Sequence, residues 1–142
     1  MKKIKFSFKP EKRGLKKFLG ELEEKVLNVL WEGKELTGRE VFERVSKEKK
    51  VAYTTVLTVL QRMVKKGLVN KKKKDEIYLY SATLDKEEFT KYIYERILKG
   101  VLDFSESATI AFLIDILSDY DPKTLEQLSS IIEKKKKELC KK

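Results

Sequence analysis

Ala52-Tyr53-Thr54-Thr55-Val56-Leu57-Thr58-Val59-Leu60-Gln61-Arg62-Met63-Val64-Lys65-Lys66-Gly67 runs directly into Leu68-Val69-Asn70-Lys71-Lys72-Lys73-Lys74-Asp75-Glu76-Ile77-Tyr78-Leu79-Tyr80. The first part reads as a helix with a stop, the second as a basic hairpin. Val56, Val59, Leu60, Met63 and Val64 recur at helical spacing and make one apolar face. Thr54, Thr55, Thr58, Gln61, Arg62 and Lys65 fall on the other face, and none is acidic. A helix that faces only solvent ordinarily mixes both charge signs. A helix destined for the DNA major groove cannot set carboxylates beside phosphates. Beyond Gly67, residues 68–71 and 77–80 are short and rich in β-formers, with Lys72, Lys73, Lys74, Asp75 and Glu76 between them as a charged tip. Alternation puts Ile77 and Leu79 on one face and Tyr78 and Tyr80 on the other.

Upstream, a first helix is predicted from about residue 19 to 32. Leu22, Val26, Leu27, Leu30 and Trp31 form its apolar face, and Gly33 is its stop. Thr37-Gly38-Arg39-Glu40 opens a second helix as a capping box, with Val41, Phe42 and Val45 inward. The third helix takes residues 53–66. Residues 1–17 are basic and dotted with Phe6 and Phe8. Pro10 and Gly14 break regular structure there, which favours a flexible arm whose lysines reach phosphates over a short edge strand.

Past residue 83 the pattern becomes purely helical. One helix starts at Asp85 or Lys86, carries Phe89, Ile93 and Ile97, and is expected to end at Gly100. Ser105 caps a second, and Asp121-Pro122 opens a third bearing Leu125, Leu128 and Ile132. Asp85 with Glu88 reads as a cap, and the lysines at 134–137 as a helix end favoured by the dipole. Three short helices with few large side chains make a thin core alone. They are expected to close a homodimer through Phe89, Ile93, Ile97, Phe112, Leu125, Leu128 and Ile132.

The 142 residues carry a formal net charge of +10 with 41% hydrophobic side chains, so a packed core is affordable. Residues 1–82 hold 22 Lys/Arg against 11 Asp/Glu, whereas residues 83–142 hold 11 against 12. The positive excess lies entirely in the first part and points to an anionic partner. No apolar run approaches the roughly 20 residues a bilayer span needs, and the basic N-terminus lacks a signal peptide's apolar segment. A cytoplasmic protein without a membrane partner is expected. There is no histidine and only one cysteine, Cys140, so histidine catalysis and Cys/His metal sites are excluded. No catalytic residue, metal or cofactor is expected, and Cys140 reads as an incidental thiol.

Three helices and a hairpin describe a winged helix-turn-helix, and the whole chain reads as mainly α with that small hairpin. Residues 18–82 form the DNA-binding domain and residues 83–142 a helical dimerisation domain. The third helix would enter the major groove while the wing reaches flanking phosphates. The candidate DNA-contacting set is Arg39, Tyr53, Thr54, Thr55, Thr58, Gln61, Arg62, Lys65, Lys71, Lys72, Lys73 and Lys74. Tyr78 and Tyr80 are read as packing residues rather than platforms for bases.

Leu19 to Glu23, Val26 to Trp31, Thr37 to Val41, Ala52 to Met63 and Lys66 to Val69 together closely resemble the penicillinase-repressor (BlaI/MecI/CopY-type) family. The resemblance implies a transcriptional repressor that binds a (pseudo)palindromic operator as a homodimer. It implies that Thr54, Thr55, Thr58 and Arg62 lie on the DNA-reading helix. Some relatives are inactivated by cutting an Asn-Phe bond, but the comparable region here is Phe112-Leu113-Ile114-Asp115. The C-terminal cysteine cluster of copper-responsive relatives is also missing. The competing expectation is a winged helix that docks an acidic protein, for which Leu57 at the edge of the polar stripe is the one hint.

Overall fold

The computed structural model describes residues 4–141, the side chain of Lys16 excepted. The chain forms two compact units, 1–90 and 91–142. In the first, a short 3-10 turn (Gly14–Lys17) precedes α1 (Glu21–Gly33), β1 (Glu35–Thr37), α2 (Gly38–Ser46), α3 (Tyr53–Lys66), β2 (Val69–Lys74) and β3 (Ile77–Ala82). The sheet is antiparallel, in the order β1-β3-β2. One buried face from each helix supplies the core: Val26, Leu27 and Leu30 from α1, Val41 and Val45 from α2, and Val56, Val59, Leu60 and Met63 from α3.

The signals at the start of α2 and the end of α3 act as expected. Thr37 Oγ1 accepts from the Glu40 amide at 3.1 Å, and the Glu40 carboxylate accepts from the Thr37 amide at 3.0 Å. The Thr37 amide, and then the Thr37 hydroxyl, hold the Glu40 carboxyl below its usual value. At the end of α3, Gly67 takes φ +83°. Its amide donates to Val64 O at 3.1 Å, and Leu68 N–H donates to Met63 O at 2.9 Å. A left-handed residue satisfies the last carbonyls and aims the chain into β2.

Gly33 plays a different part from the one its position suggested. It is the last residue of α1, and Lys34 takes the positive φ of 66°. A Cβ at Gly33 would lie 2.6 Å from both the Arg44 guanidinium and a Leu36 methyl. The glycine is there because β1 and α2 pack against it, not because the backbone turns at it. The strand β1 itself, Glu35–Thr37, was not expected. It is three residues long with one buried side chain, Leu36, opposite Tyr80 in the register, too short for alternation to show.

The expectation of a flexible arm is corrected from residue 4 onward; residues 1–3 lie outside the described residues. Ile4 is buried, and Lys5 N–H donates to Lys66 O at 3.0 Å. Phe6 and Phe8 both pack on Phe18, with ring centroids 5.7 and 5.5 Å away. Three aromatic rings and an aliphatic anchor outweigh the breaking effect of Pro10 and Gly14.

The first unit also runs past residue 82. Trp31 Nε1 donates to Leu84 O at 2.9 Å, and the Trp31 ring lies 5.7 Å from that of Phe89. This clasp draws in the first turn of α4 (Lys86–Phe104), which Asp85 and Glu88 cap reciprocally at 2.8 and 3.2 Å. The helix continues through Gly100, expected as its end, because Gly100 has no left-handed φ.

In the second unit, α5 (Glu106–Ser118) is capped by Ser105 Oγ, and α6 (Pro122–Cys140) by Asp121 with Pro122 in the first turn. α5 packs on α6. Among the described residues beyond Ile93, none is buried. No helix of the described residues is long and apolar enough to cross a membrane.

Candidate nucleic-acid interface

The stripe read from the sequence is a surface. Thr54, Thr55, Thr58, Gln61, Arg62 and Lys65 are all exposed on α3, opposite the buried Val56, Val59, Leu60 and Met63. No acid stands in the first turn, and no side chain caps the helix start at Ala52. The positive end of the helix dipole is therefore open to an anion. Thr58 Oγ1 donates its proton to Thr54 O at 2.9 Å. That leaves the Thr58 methyl and its oxygen lone pairs facing outward.

Arg39, from the first turn of α2, is held beside the start of α3. Its guanidinium sits 4.6 Å from the Tyr53 ring centroid and 5.9 Å from that of Phe42. Tyr53 and Phe42 meet edge to face at 5.4 Å. The rings fix the cation's position while leaving its donors exposed. Residue type and order singled out Arg39 and Tyr53, but only the fold shows Phe42 as their support.

The wing differs from the expected charged tip. β2 continues through Lys74, and the turn is only Asp75-Glu76, both with positive φ (50° and 67°). Lysines 71–74 are thus strand residues and alternate in direction. Lys71 and Lys73 share the face of Tyr80 and Tyr78, their register partners; Lys72 and Lys74 share that of Leu79 and Ile77. Lys71 Nζ lies 4.1 Å above the Tyr78 ring, and Lys73 pairs with Glu76 at 3.4 Å. Tyr80 is a buried packing residue as expected, whereas Tyr78 is 46% exposed. Burial, then the neighbouring Tyr53 and Tyr78, raise the Tyr80 phenol, so it stays neutral.

Between the start of α2, α3 and the wing runs a cleft of about 510 Å³ that includes Arg39, Tyr53, Gln61, Lys71 and Tyr78. Gly38 is its floor. A Cβ there would come 2.8 Å from a Leu57 methyl. Leu57 is thus seated on Gly38, which accounts for the apolar residue at the edge of the stripe.

One charged contact behind the site had no sequence signal. Glu23 is 7% exposed. It accepts from Lys66 Nζ at 2.8 Å and from the Gly20 amide at 3.0 Å. Burial alone would raise its carboxyl, but those two bonds, with the charges of Lys66 and Arg62, hold it below the usual value. The contact ties the start of α1 to the end of α3 across 43 residues of sequence.

The residues assigned to dimerisation separate into three groups. Phe89 and Ile93 are each 2% exposed in the single chain, which corrects their assignment to an interface between chains. Ile97, Leu125 and Leu128 are half-buried, and Phe112 and Ile132 are exposed. No cluster of three potential metal ligands occurs among the described residues.

Comparison with known proteins places this geometry in context. Residues 19–134 match the penicillinase repressor family. The transcriptional regulator BlaI of Mycobacterium tuberculosis is 42% identical over 71 residues, which cover 49% of this chain and 51% of that protein. The chain thus spans about half the length of that relative. The penicillinase repressor of Staphylococcus aureus is 28% identical over 112 residues, 69% of this chain and 89% of that protein. Among solved structures, the DNA-binding domain of the repressor BlaI is 27% identical, with a TM-score of 0.45 over 49% of this chain and 85% of that one. The named relatives are transcriptional regulators and repressors, not enzymes. A match over residues 19–134, winged helix and following helices together, makes the chain a member of the penicillinase repressor family.

Proposed function

We propose that the protein is a sequence-specific transcriptional repressor that binds a (pseudo)palindromic operator in double-stranded DNA as a homodimer. The observation that carries this reading is the acid-free exposed face of α3, with Arg39 at one end and the Lys71/Lys73 face of the wing alongside. Thr54, Thr55 and Thr58 suit thymine methyls and base edges. Arg62 suits a guanine, and the lysines suit phosphates. Such a protein works in the cytoplasm, where the chromosomal DNA lies. Leu57 does not support a protein-docking alternative, because it packs on Gly38.

The homodimer is supported by the second unit. Phe112, Ile116 and Ile131 are 64%, 54% and 64% exposed, and nothing described past Ile93 is buried. So much apolar surface in one small unit marks an association face. Two reading helices in a two-fold pair would meet half-sites about one helical turn apart.

Fluorescence anisotropy with duplex from the protein's own promoter region, against scrambled duplex of equal length, tests the reading. A preference of about a thousandfold is expected. Arg62→Ala should cost about 1–3 kcal/mol on the promoter duplex alone. Equal binding to both duplexes, vanishing at moderate salt, would refute sequence-specific repression.

A further inference from the structure

The segment before α1 carries six basic side chains and one acid, Glu11, between residues 4 and 18. The match to the family begins only at residue 19, so this charge is additional to the winged helix. It is not a loose tail. Ile4 is 1% exposed, and Lys5 N–H is bonded to Lys66 O in the last turn of α3. Lys9 N–H donates to Lys17 O at 2.6 Å, and Lys17 Nζ to Pro10 O at 2.7 Å, which closes residues 9–17 into a loop. Phe18 holds that loop from inside, against Phe6 and Phe8. The anchor at Lys66 lies one helical turn beyond Arg62, next to Lys65. Lys5 thus stands beside the last turn of α3, and Lys9, Lys12 and Arg13 of the same folded loop are, like it, exposed. Lys66 itself is occupied by Glu23. Glu21, a further carboxylate beside the loop, is drawn to Lys49 at 3.3 Å.

We propose that this folded basic loop is a second phosphate-binding surface, which extends the contact with duplex DNA beyond the stretch covered by α3 and the wing. The inference rests on the DNA-binding reading above. Its physical content is pre-ordering. Charges already held by a folded loop lose little conformational freedom on binding, so each phosphate contact is retained as affinity. Every contact also releases counterions, adding about 0.9 to the slope of log K against log salt.

The test uses the full chain and a random-sequence duplex of about 40 base pairs. Binding is measured by anisotropy across a salt series for the unsubstituted protein and for Lys5→Gln/Lys9→Gln/Lys12→Gln/Arg13→Gln. The substitutions leave Ile4, Phe6, Phe8 and Phe18 in place, and an unchanged thermal midpoint verifies the fold. A slope flatter by about 2–4, with affinity lowered on the order of tenfold at moderate salt, is expected. An unchanged slope, or a loss of affinity without a change in slope, would overturn the proposal. Lys71→Gln/Lys73→Gln is the companion variant. If it flattens the slope while the loop variant does not, the winged helix binds DNA and the loop does not. Absence of any DNA binding by the unsubstituted protein would remove the underlying reading and the loop with it.

Discussion

Gly67 and Glu23 decide how α3 ends, one through its backbone and the other through charge. Gly67→Ala forces a Cβ into a left-handed position and should cost about 1 kcal/mol of stability, read by urea denaturation. Glu23 is held ionised by Lys66 and the Gly20 amide. Its carboxyl sits lower in the folded chain than the ordinary 4.5, so the unfolded chain takes up a proton first as pH falls. Its stabilising effect is complete above that ordinary value and fades as pH drops through the lower folded one. Glu23→Gln should therefore flatten the dependence of unfolding free energy on pH on the acid side of that ordinary value. It should also cost about 1 kcal/mol at neutral pH, a figure reduced because Lys66 is partly in water. An acid limb as steep as that of the unsubstituted protein would show that Glu23 does not titrate in this way.

At the scale of elements, the hairpin turn is the place to intervene. Asp75 and Glu76 both hold positive φ, the geometry of a two-residue type I′ turn, where glycine is preferred second. Glu76→Gly should relieve that strain and raise stability by about 0.5–1 kcal/mol, visible as a higher thermal midpoint. The exposed Lys73–Glu76 pair it removes contributes little. Removing a carboxylate from the wing should also tighten binding to random DNA; unchanged binding would mean the turn does not approach phosphates. The long signals in the sequence carried these elements well. The apolar period of α3, its Gly67 stop, and the Thr37/Glu40 and Asp85/Glu88 caps all act locally, and all are found. What was hidden depends on partners distant in the chain. β1 exists because β3 pairs with it, Gly33 is small because Leu36 and Arg44 press on it, and the loop before α1 is folded because Phe18 and Lys66 hold it. The polar stripe was legible because it needs no partner, whereas the Phe42 ring beneath Arg39 was not.

For the whole molecule, charge and apolar surface divide the work. The basic excess lies within residues 1–82, and residues 83–142 are close to neutral. Two copies can therefore associate through the second part without strong mutual repulsion. Phe112→Glu combined with Ile132→Lys should shift sedimentation toward the monomer at micromolar concentration. The same variant should weaken binding to a full promoter site at least tenfold, by loss of the second attachment. Binding to a half-length duplex should hardly change, since α3 is untouched. A variant that remains dimeric would move the association face elsewhere.

The alternation of Lys71 to Lys74 in β2 bears on how this wing tolerates insertions and deletions. Losing one lysine shifts every later β2 residue to the opposite face, yet a lysine still takes every vacated place but the last, which falls to Asp75. A shortened run would still present two lysines on the face of Lys71 and Lys73, and only the opposite face would lose one. The facing strand has no such freedom: a one-residue shift in β3 would exchange the buried Tyr80 for Leu79 and push the phenol into solvent. Length can therefore drift in one strand of the wing, while its partner has to keep count.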